Sequence, residues 1–250
     1  PELGRVPPDR FIRLAEESGL IVELGRQVLR ESCAVASTWQ HLPGGRSVSV
    51  NVSAVQLAEP DFTQHVAKAL ADSGLPPNRL TLEVTETAAL RDIEATYAQL
   101  SELRSMGVHL ALDDFGVGQS PLTLLSRLPF TVVKIERTFV SQVHERAHDA
   151  VVSRIVIEAA HSLGLRVCAE GIEVREQAQQ LVALGCDLAQ GYLMARPYDP
   201  SSGTTPDEAV QAMSPLDPTA DAPIKLGGTD ELVLVTNPER RITYASLGCL

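Results

Sequence analysis

Residues 47–52 read Ser47-Val48-Ser49-Val50-Asn51-Val52, an alternation that a strand converts into two faces because successive side chains point to opposite sides. The valines share one face, and Asn51 lies opposite them with Ser49. The pattern returns four more times along the chain. Leu80, Leu82 and Val84 oppose Thr81, Glu83 and Thr85. Asp113 is in phase with His109 and Ala111, Lys134 lies between Val132 and Glu136, and Glu170 is in phase with Arg166 and Cys168. Each run carries a polar or ionisable side chain near its C-terminal end, always on the face away from the oily residues. Such a pattern describes the mouth of an active site.

Around these runs the chain alternates strand and helix. Two helices are predicted before residue 47, from Phe11, Ile12, Leu14 and Ala15 and then Ile21, Leu24, Val28 and Leu29 at helical spacing. Strands follow at 47–52, 80–84, 108–112, 131–135, 166–169 and about 187–191. Helices fall between them near 61–73, 90–106, 121–128, 146–163 and 174–184. Ser73-Gly74, Met106-Gly107, Leu163-Gly164 and Leu184-Gly185 supply glycine stops where a helix turns back to a strand. The rhythm implies a parallel sheet. In an open doubly wound sheet both faces are oily, so the polar phase argues instead for a TIM-like (β/α) barrel. Six strands are two short of the eight such a barrel needs, which leaves either an open sheet or two strands upstream of Pro1.

The expected divisions are a barrel domain at 1–198, a tether at 199–230 rich in Pro, Ser, Thr, Asp and Gly, and the start of a further domain at 231–250. In that last stretch Leu232–Thr236 and Ile242–Ser246 flank Asn237-Pro238 in a hairpin pattern.

A net charge of −11 opposes binding to DNA or RNA polymers, since such affinity rests on Lys and Arg neutralising phosphates. A small phosphate diester is still compatible with an acidic protein where bound cations invert the local field. No apolar run is long enough to span a bilayer and no secretion signal opens the chain, so the expected location is the cytoplasm. Cys33, Cys168, Cys186 and Cys249 lack metal-ligand spacing and read as reduced, structural thiols. The six histidines form no ligand cluster.

The chemistry centres on Asp113-Asp114, adjacent carboxylates at a strand end before Phe115-Gly116-Val117-Gly118. Hard divalent cations such as Mg²⁺ and Mn²⁺ prefer oxygen ligands, and a pair of them can hold both oxygens of a phosphoryl displacement. Asn51, Glu83 and Asp113 are the ligands of choice. Lys134, mid-strand, either faces carboxylates and a substrate phosphate at the mouth or forms a structural ion pair with Glu136. Glu170 either accepts a proton from an attacking water or orients a group that does. Glu86 and Glu173 fall beyond strand ends and read as loop supports.

Taken together, these segments resemble the EAL-domain family of cyclic-di-GMP phosphodiesterases. The match runs from Pro8–Gly25 through Ser49-Val50-Asn51-Val52-Ser53, Leu82-Glu83-Val84-Thr85-Glu86 and Leu112-Asp113-Asp114-Phe115-Gly116. Val133-Lys134-Ile135, Ala169-Glu170-Gly171-Ile172-Glu173 and Ala189-Gln190-Gly191-Tyr192 complete it. The resemblance implies a modified TIM barrel, cyclic di-GMP as ligand and, for the intact domain, two Mg²⁺ or Mn²⁺ ions and hydrolysis to the linear dinucleotide pGpG. Carried over, Asn51, Glu83, Asp113 and Asp114 are metal ligands, Lys134 and Glu170 activate water, Glu86 and Glu173 support loops, and Gln190 belongs to the substrate side. It also implies homodimer contacts through the loop after Asp114 and other signalling domains on the same polypeptide.

The chain departs from the family at three places. The Glu-Ala-Leu tripeptide and the Arg after it are expected upstream of Pro1, with the first strands. Val117-Gly118-Gln119-Ser120-Pro121 replaces the usual Thr, Gly, Tyr, Ser, Ser, and Glu136 replaces an Asp. The hairpin at 231–250 is similar to the opening of a PAS sensor domain. Alternative readings are a non-catalytic cyclic-di-GMP receptor or protein-interaction module, and an unrelated metal-dependent barrel enzyme such as an aldolase.

Overall fold

The computed structural model describes residues 8–41, 46–116, 123–193, 232–236 and 242–247. The loop from Val117 to Pro121, the tether at 199–230 and Cys249 lie outside them. Helices α1 (Pro8–Ser18) and α2 (Leu20–Thr38) precede strand β1 (Ser47–Val52). Then follow α3 (Ala54–Leu57), α4 (Phe62–Ser73), β2 (Leu80–Thr85), α5 (Glu86–Leu90), α6 (Ile93–Ser105), β3 (His109–Phe115), α7 (Thr123–Arg127) and β4 (Val132–Ile135). The remaining units are α8 (Arg137–Val140), α9 (Ala147–Ser162), β5 (Arg166–Ala169), α10 (Arg175–Ala183) and β6 (Leu188–Ala189). Strands β1 to β6 are parallel and adjacent in chain order, forming a curled half-barrel flanked by helices. The hairpin also forms. Its first strand, β7 (Leu232–Thr236), lies parallel to β1 from Ser47 opposite Val233 to Val50 opposite Thr236, and β8 (Ile242–Leu247) pairs antiparallel with β7.

The two phases read from the sequence become two layers. Val48, Val50, Val52, Leu80, Leu82, Val84, Leu110, Leu112, Val133, Ile135 and Val167 point outward into the main core, packed with Leu100, Leu103, Val156, Ile157 and Leu181 of the helices. Inside the curl, Ala111, Val132, Cys168 and Leu188 form a second, smaller apolar cluster. Each of these four stands two residues before a polar residue of the mouth: Asp113, Lys134, Glu170 and Gln190. With period-two geometry, a plug of small apolar side chains therefore carries the polar layer directly on top of it. Gly74, Gly107, Gly164 and Gly185 all have positive φ, as expected where a helix reverses into a strand. Among the described residues, no helix is long and apolar enough to cross a membrane.

Cys33, Cys168 and Cys186 are free and buried. Burial pushes the thiols of Cys33 and Cys186 up to about 12 and that of Cys168 well above its usual range, so none forms appreciable thiolate near neutrality. In a Cys249→Ser variant, dithionitrobenzoate is expected to titrate these three thiols only after unfolding in guanidinium. A thiol that titrates rapidly in the native protein contradicts this packing.

Candidate functional site

Lys134 is 3% exposed, and its ammonium is enclosed by carboxylates from three other strands. Nζ lies 2.7 Å from Oε2 of Glu83 on β2, 2.5 Å from Oε1 of Glu170 at the end of β5 and 3.3 Å from Oδ1 of Asp113 on β3. The alternative pair with Glu136 does not form. Glu136 instead caps α8, its Oε2 accepting the Thr138 backbone N–H at 2.9 Å and the Thr138 hydroxyl. The longer Glu side chain reaches over the first turn of the helix, which is where a free N–H awaits an acceptor.

Asp113 and Asp114 reach the same mouth through a bulge. Leu112 is opposite Val133 and Phe115 is opposite Ile135, so two aspartates face Lys134 alone. Asp114 has φ 56° and its N–H donates to Asp113 Oδ1 at 2.9 Å. One extra residue in a strand re-aims side chains locally. Here it keeps both carboxylates near the mouth while Phe115 returns to the core. Carboxylate oxygens of Asp113, Asp114 and Glu170 lie within 4.8 Å of one another, a set of hard donors suited to a divalent cation.

The electrostatics agree with that crowding. Burial, with Asp113 nearby and against the pull of Lys134, raises Glu170 from 4.5 to about 7. Burial likewise raises Glu83 despite Lys134, and burial plus Asp113 raises Asp114. Burial opposes the charge on Lys134, yet Glu83, Glu170 and Asp113 together hold it well above the usual ammonium range.

The other predicted residues are placed as follows. Asn51 pairs in register with Glu83 on the inner phase of β1, exposed at the rim, whereas Val50 and Val52 are buried. Glu86 is not in a loop: it opens α5, because the Thr85 hydroxyl accepts the Ala88 N–H and caps a turn there. Glu86 is 5% exposed. Glu173 is in a loop, as expected, paired with Arg137 at 2.6 Å. Gln190 is 3% exposed and lines a cleft of about 80 Å³ with Arg137, Glu170, Gly171, Glu173 and Tyr192. Its backbone joins two strand ends: Gln190 N–H donates to Ala169 O, and Ile172 N–H donates to Gln190 O. The sequence reading missed two supports of this rim, Arg137 and Gln177. Gln177 Oε1 accepts the N–H groups of Glu173 and Val174 while its Nε2 donates to Ser141 O. Neither has a strand-phase signal, because both sit on helices.

Comparison with known proteins places this arrangement. The sequence profile described as EAL domain matches residues 1–197. The chain belongs to the EAL domain family. It is 40% identical over 200 residues to the bifunctional diguanylate cyclase/cyclic di-GMP phosphodiesterase MucR of Pseudomonas aeruginosa, covering 79% of this chain and 29% of MucR. This EAL chain thus spans less than a third of that relative. The structure of the MucR phosphodiesterase in complex with cyclic di-GMP superposes with a TM-score of 0.74 at 38% identity, covering 80% of this chain and 81% of that one. A calcium and cyclic di-GMP complex of Klebsiella pneumoniae BlrP1 superposes at 0.68 with 29% identity, covering 78% and 48%. The fold of this EAL domain is accordingly the TIM-like barrel of the family.

Two outcomes follow from the Lys134 cluster. Lys134→Met leaves buried carboxylates without their cation and is expected to cost about 3 to 5 kcal/mol in urea unfolding. A loss under about 1 kcal/mol would show the cluster to be hydrated rather than enclosed. The second concerns pH. A carboxyl whose folded value, about 7, exceeds its unfolded 4.5 holds its proton longer in the native state. Its contribution is therefore complete below 4.5 and lost as pH rises to 7. With chelator present, the urea midpoint should fall over that window, and Glu170→Gln should flatten the decline; an unchanged slope in that variant contradicts the assignment.

Proposed function

We propose that this EAL domain hydrolyses one phosphodiester bond of cyclic di-GMP, giving linear pGpG, with two Mg²⁺ or Mn²⁺ ions held at the mouth of the barrel. The observation that carries the reading is the convergence of carboxylate oxygens of Asp113, Asp114 and Glu170 within 4.8 Å of one another, beside a lysine enclosed by Glu83, Asp113 and Glu170. Asn51, Glu83, Asp113 and Asp114 would hold the ions. When bound, the ions polarise the phosphoryl oxygens and offset the charge that develops there. Glu170, raised to about 7, takes a proton from the attacking water near neutral pH. The hydroxyl oxygen adds to phosphorus, the ribose oxygen leaves, and a proton passes to that leaving oxygen. Lys134 keeps Glu170 and Glu83 at fixed separation and adds positive charge beside the phosphate. Glu86 and Glu173 support the neighbouring loops, and Gln190 lies on the substrate side of the cleft.

The remaining features fit a cytoplasmic signalling polypeptide. MucR is described as bifunctional, and this chain covers only part of it, which supports further signalling domains on the same polypeptide. Residues 231–250 are the start of one, PAS-like in pattern, after a tether at 199–230, and the loop after Asp114 carries homodimer contacts. The net charge of −11 fits a small diester held through cations rather than a nucleic-acid polymer.

Turnover of cyclic di-GMP with Mg²⁺ or Mn²⁺ and equilibrium binding with Ca²⁺ test the reading together. Glu170→Gln is expected to lower kcat by about 100-fold or more while binding in Ca²⁺ changes by less than threefold or so. Binding by the unaltered protein without turnover makes it a receptor. Absence of both removes cyclic di-GMP from consideration.

A further inference from the structure

The turn Glu170-Gly171-Ile172-Glu173 carries a mouth carboxylate at one end and a loop carboxylate at the other, and it is clamped from three directions. From the segment just after β6, Ile172 exchanges backbone bonds with Gln190 O and Leu193 N–H, and the approach is so close that a Cβ on Gly191 would overlap the Ile172 backbone. From α10, Gln177 accepts the N–H groups of Glu173 and Val174. From α8 comes Arg137. Its Cβ, Cγ and Cδ lie against Gly171, where an added Cβ would meet Cδ at 2.8 Å, and its Nη2 meets Glu173 Oε1 at 2.6 Å. Gly171 itself has φ 69°, a conformation that glycine adopts without cost and that reverses the chain just after Glu170.

We propose that Arg137 is a positioning residue for Glu170: its stem presses the Gly171 reversal into place and its guanidinium anchors Glu173, so the Glu170 carboxylate stays on the mouth beside Lys134. The register makes this possible. Glu170 N–H donates to Ile135 O at 3.2 Å, so the start of α8 and the end of β5 are neighbours, and Arg137 is the first helical residue after Glu136. The guanidinium alone cannot account for the clamp. The Arg137 and Glu173 side chains are 61% and 43% exposed, and exposed ion pairs contribute little. The packed stem is the stronger half, because long cationic side chains bury their methylenes while the head stays in water.

This inference rests on the hydrolase reading above, and its test separates the two. Arg137→Ala removes stem and charge, whereas Arg137→Met keeps most of the stem. With cyclic di-GMP and Mg²⁺, Arg137→Ala is expected to lower kcat about three- to tenfold with KM within about twofold, since misplacing a reacting group costs rate rather than affinity. Arg137→Met should recover most of that loss. An unchanged kcat overturns the proposal, and so does a loss confined to KM, which would make Arg137 a substrate-binding group. If the unaltered chain shows no turnover, the hydrolase reading fails by itself. Amide exchange then decides the clamp: faster exchange over residues 170–174 in Arg137→Ala, restored in Arg137→Met, supports it, and identical exchange overturns it.

Discussion

A buried ammonium holds this structure to one register. Lys134 would lose its charge in an apolar lumen without partners, and the carboxylates of Glu83, Asp113 and Glu170 would be as costly without Lys134. The four side chains come from β2, β3, β4 and the end of β5, so each strand must present the same phase at the same height. Slipping any one of them by a residue would send its site residue into the helical layer and bring an outward-facing apolar neighbour such as Leu82, Leu112, Val133 or Ala169 into the mouth. The cluster therefore acts as a register lock, while the apolar plug of Ala111, Val132, Cys168 and Leu188 supplies the hydrophobic part of the same constraint.

Much of this was legible in the sequence because period two is a strong code. A residue two places after an inward apolar residue must also point inward, and Asp113, Lys134 and Glu170 obey. What was not legible lies where the period breaks. Asp114 should face away from Asp113 in an uninterrupted strand, and only the bulge, with Asp114 at φ 56°, brings it round. No turn residue announces that break, since Asp tolerates the left-handed region without requiring it. The partners of Lys134 were also ambiguous from order alone: Glu136 is two residues away in sequence, yet helix capping takes it.

The rim shows a different kind of illegibility. Arg137 and Gln177 act on the Glu170–Glu173 turn from helices whose own spacing says nothing of that turn. Gly191 illustrates the same point from the backbone side. It is required because Ile172 passes against it, a close approach of two strand ends that only the assembled sheet creates. Side chains that read a surface are written in local pattern; those that brace a turn from a neighbouring unit are written only in the tertiary arrangement.

Charge balance connects the site to its proposed ligand. Glu83, Asp113, Asp114 and Glu170 bring four negative charges when ionised, and Lys134 returns one. Burial, with Asp113 adding to it, holds Glu83, Asp114 and Glu170 above their usual range, and the surplus is a field that repels a phosphate diester. Two divalent ions, as proposed, would reverse the sum to a single positive charge, matching the single negative charge of one diester. One ion would leave the mouth negative. The acidic character of the whole chain then ceases to conflict with an anionic ligand, because affinity is set by the inverted field of the mouth rather than by the net charge of the surface. Lys134 is essential to that arithmetic: with a neutral residue in its place, two ions would leave the mouth uncharged and the pull on the diester would vanish.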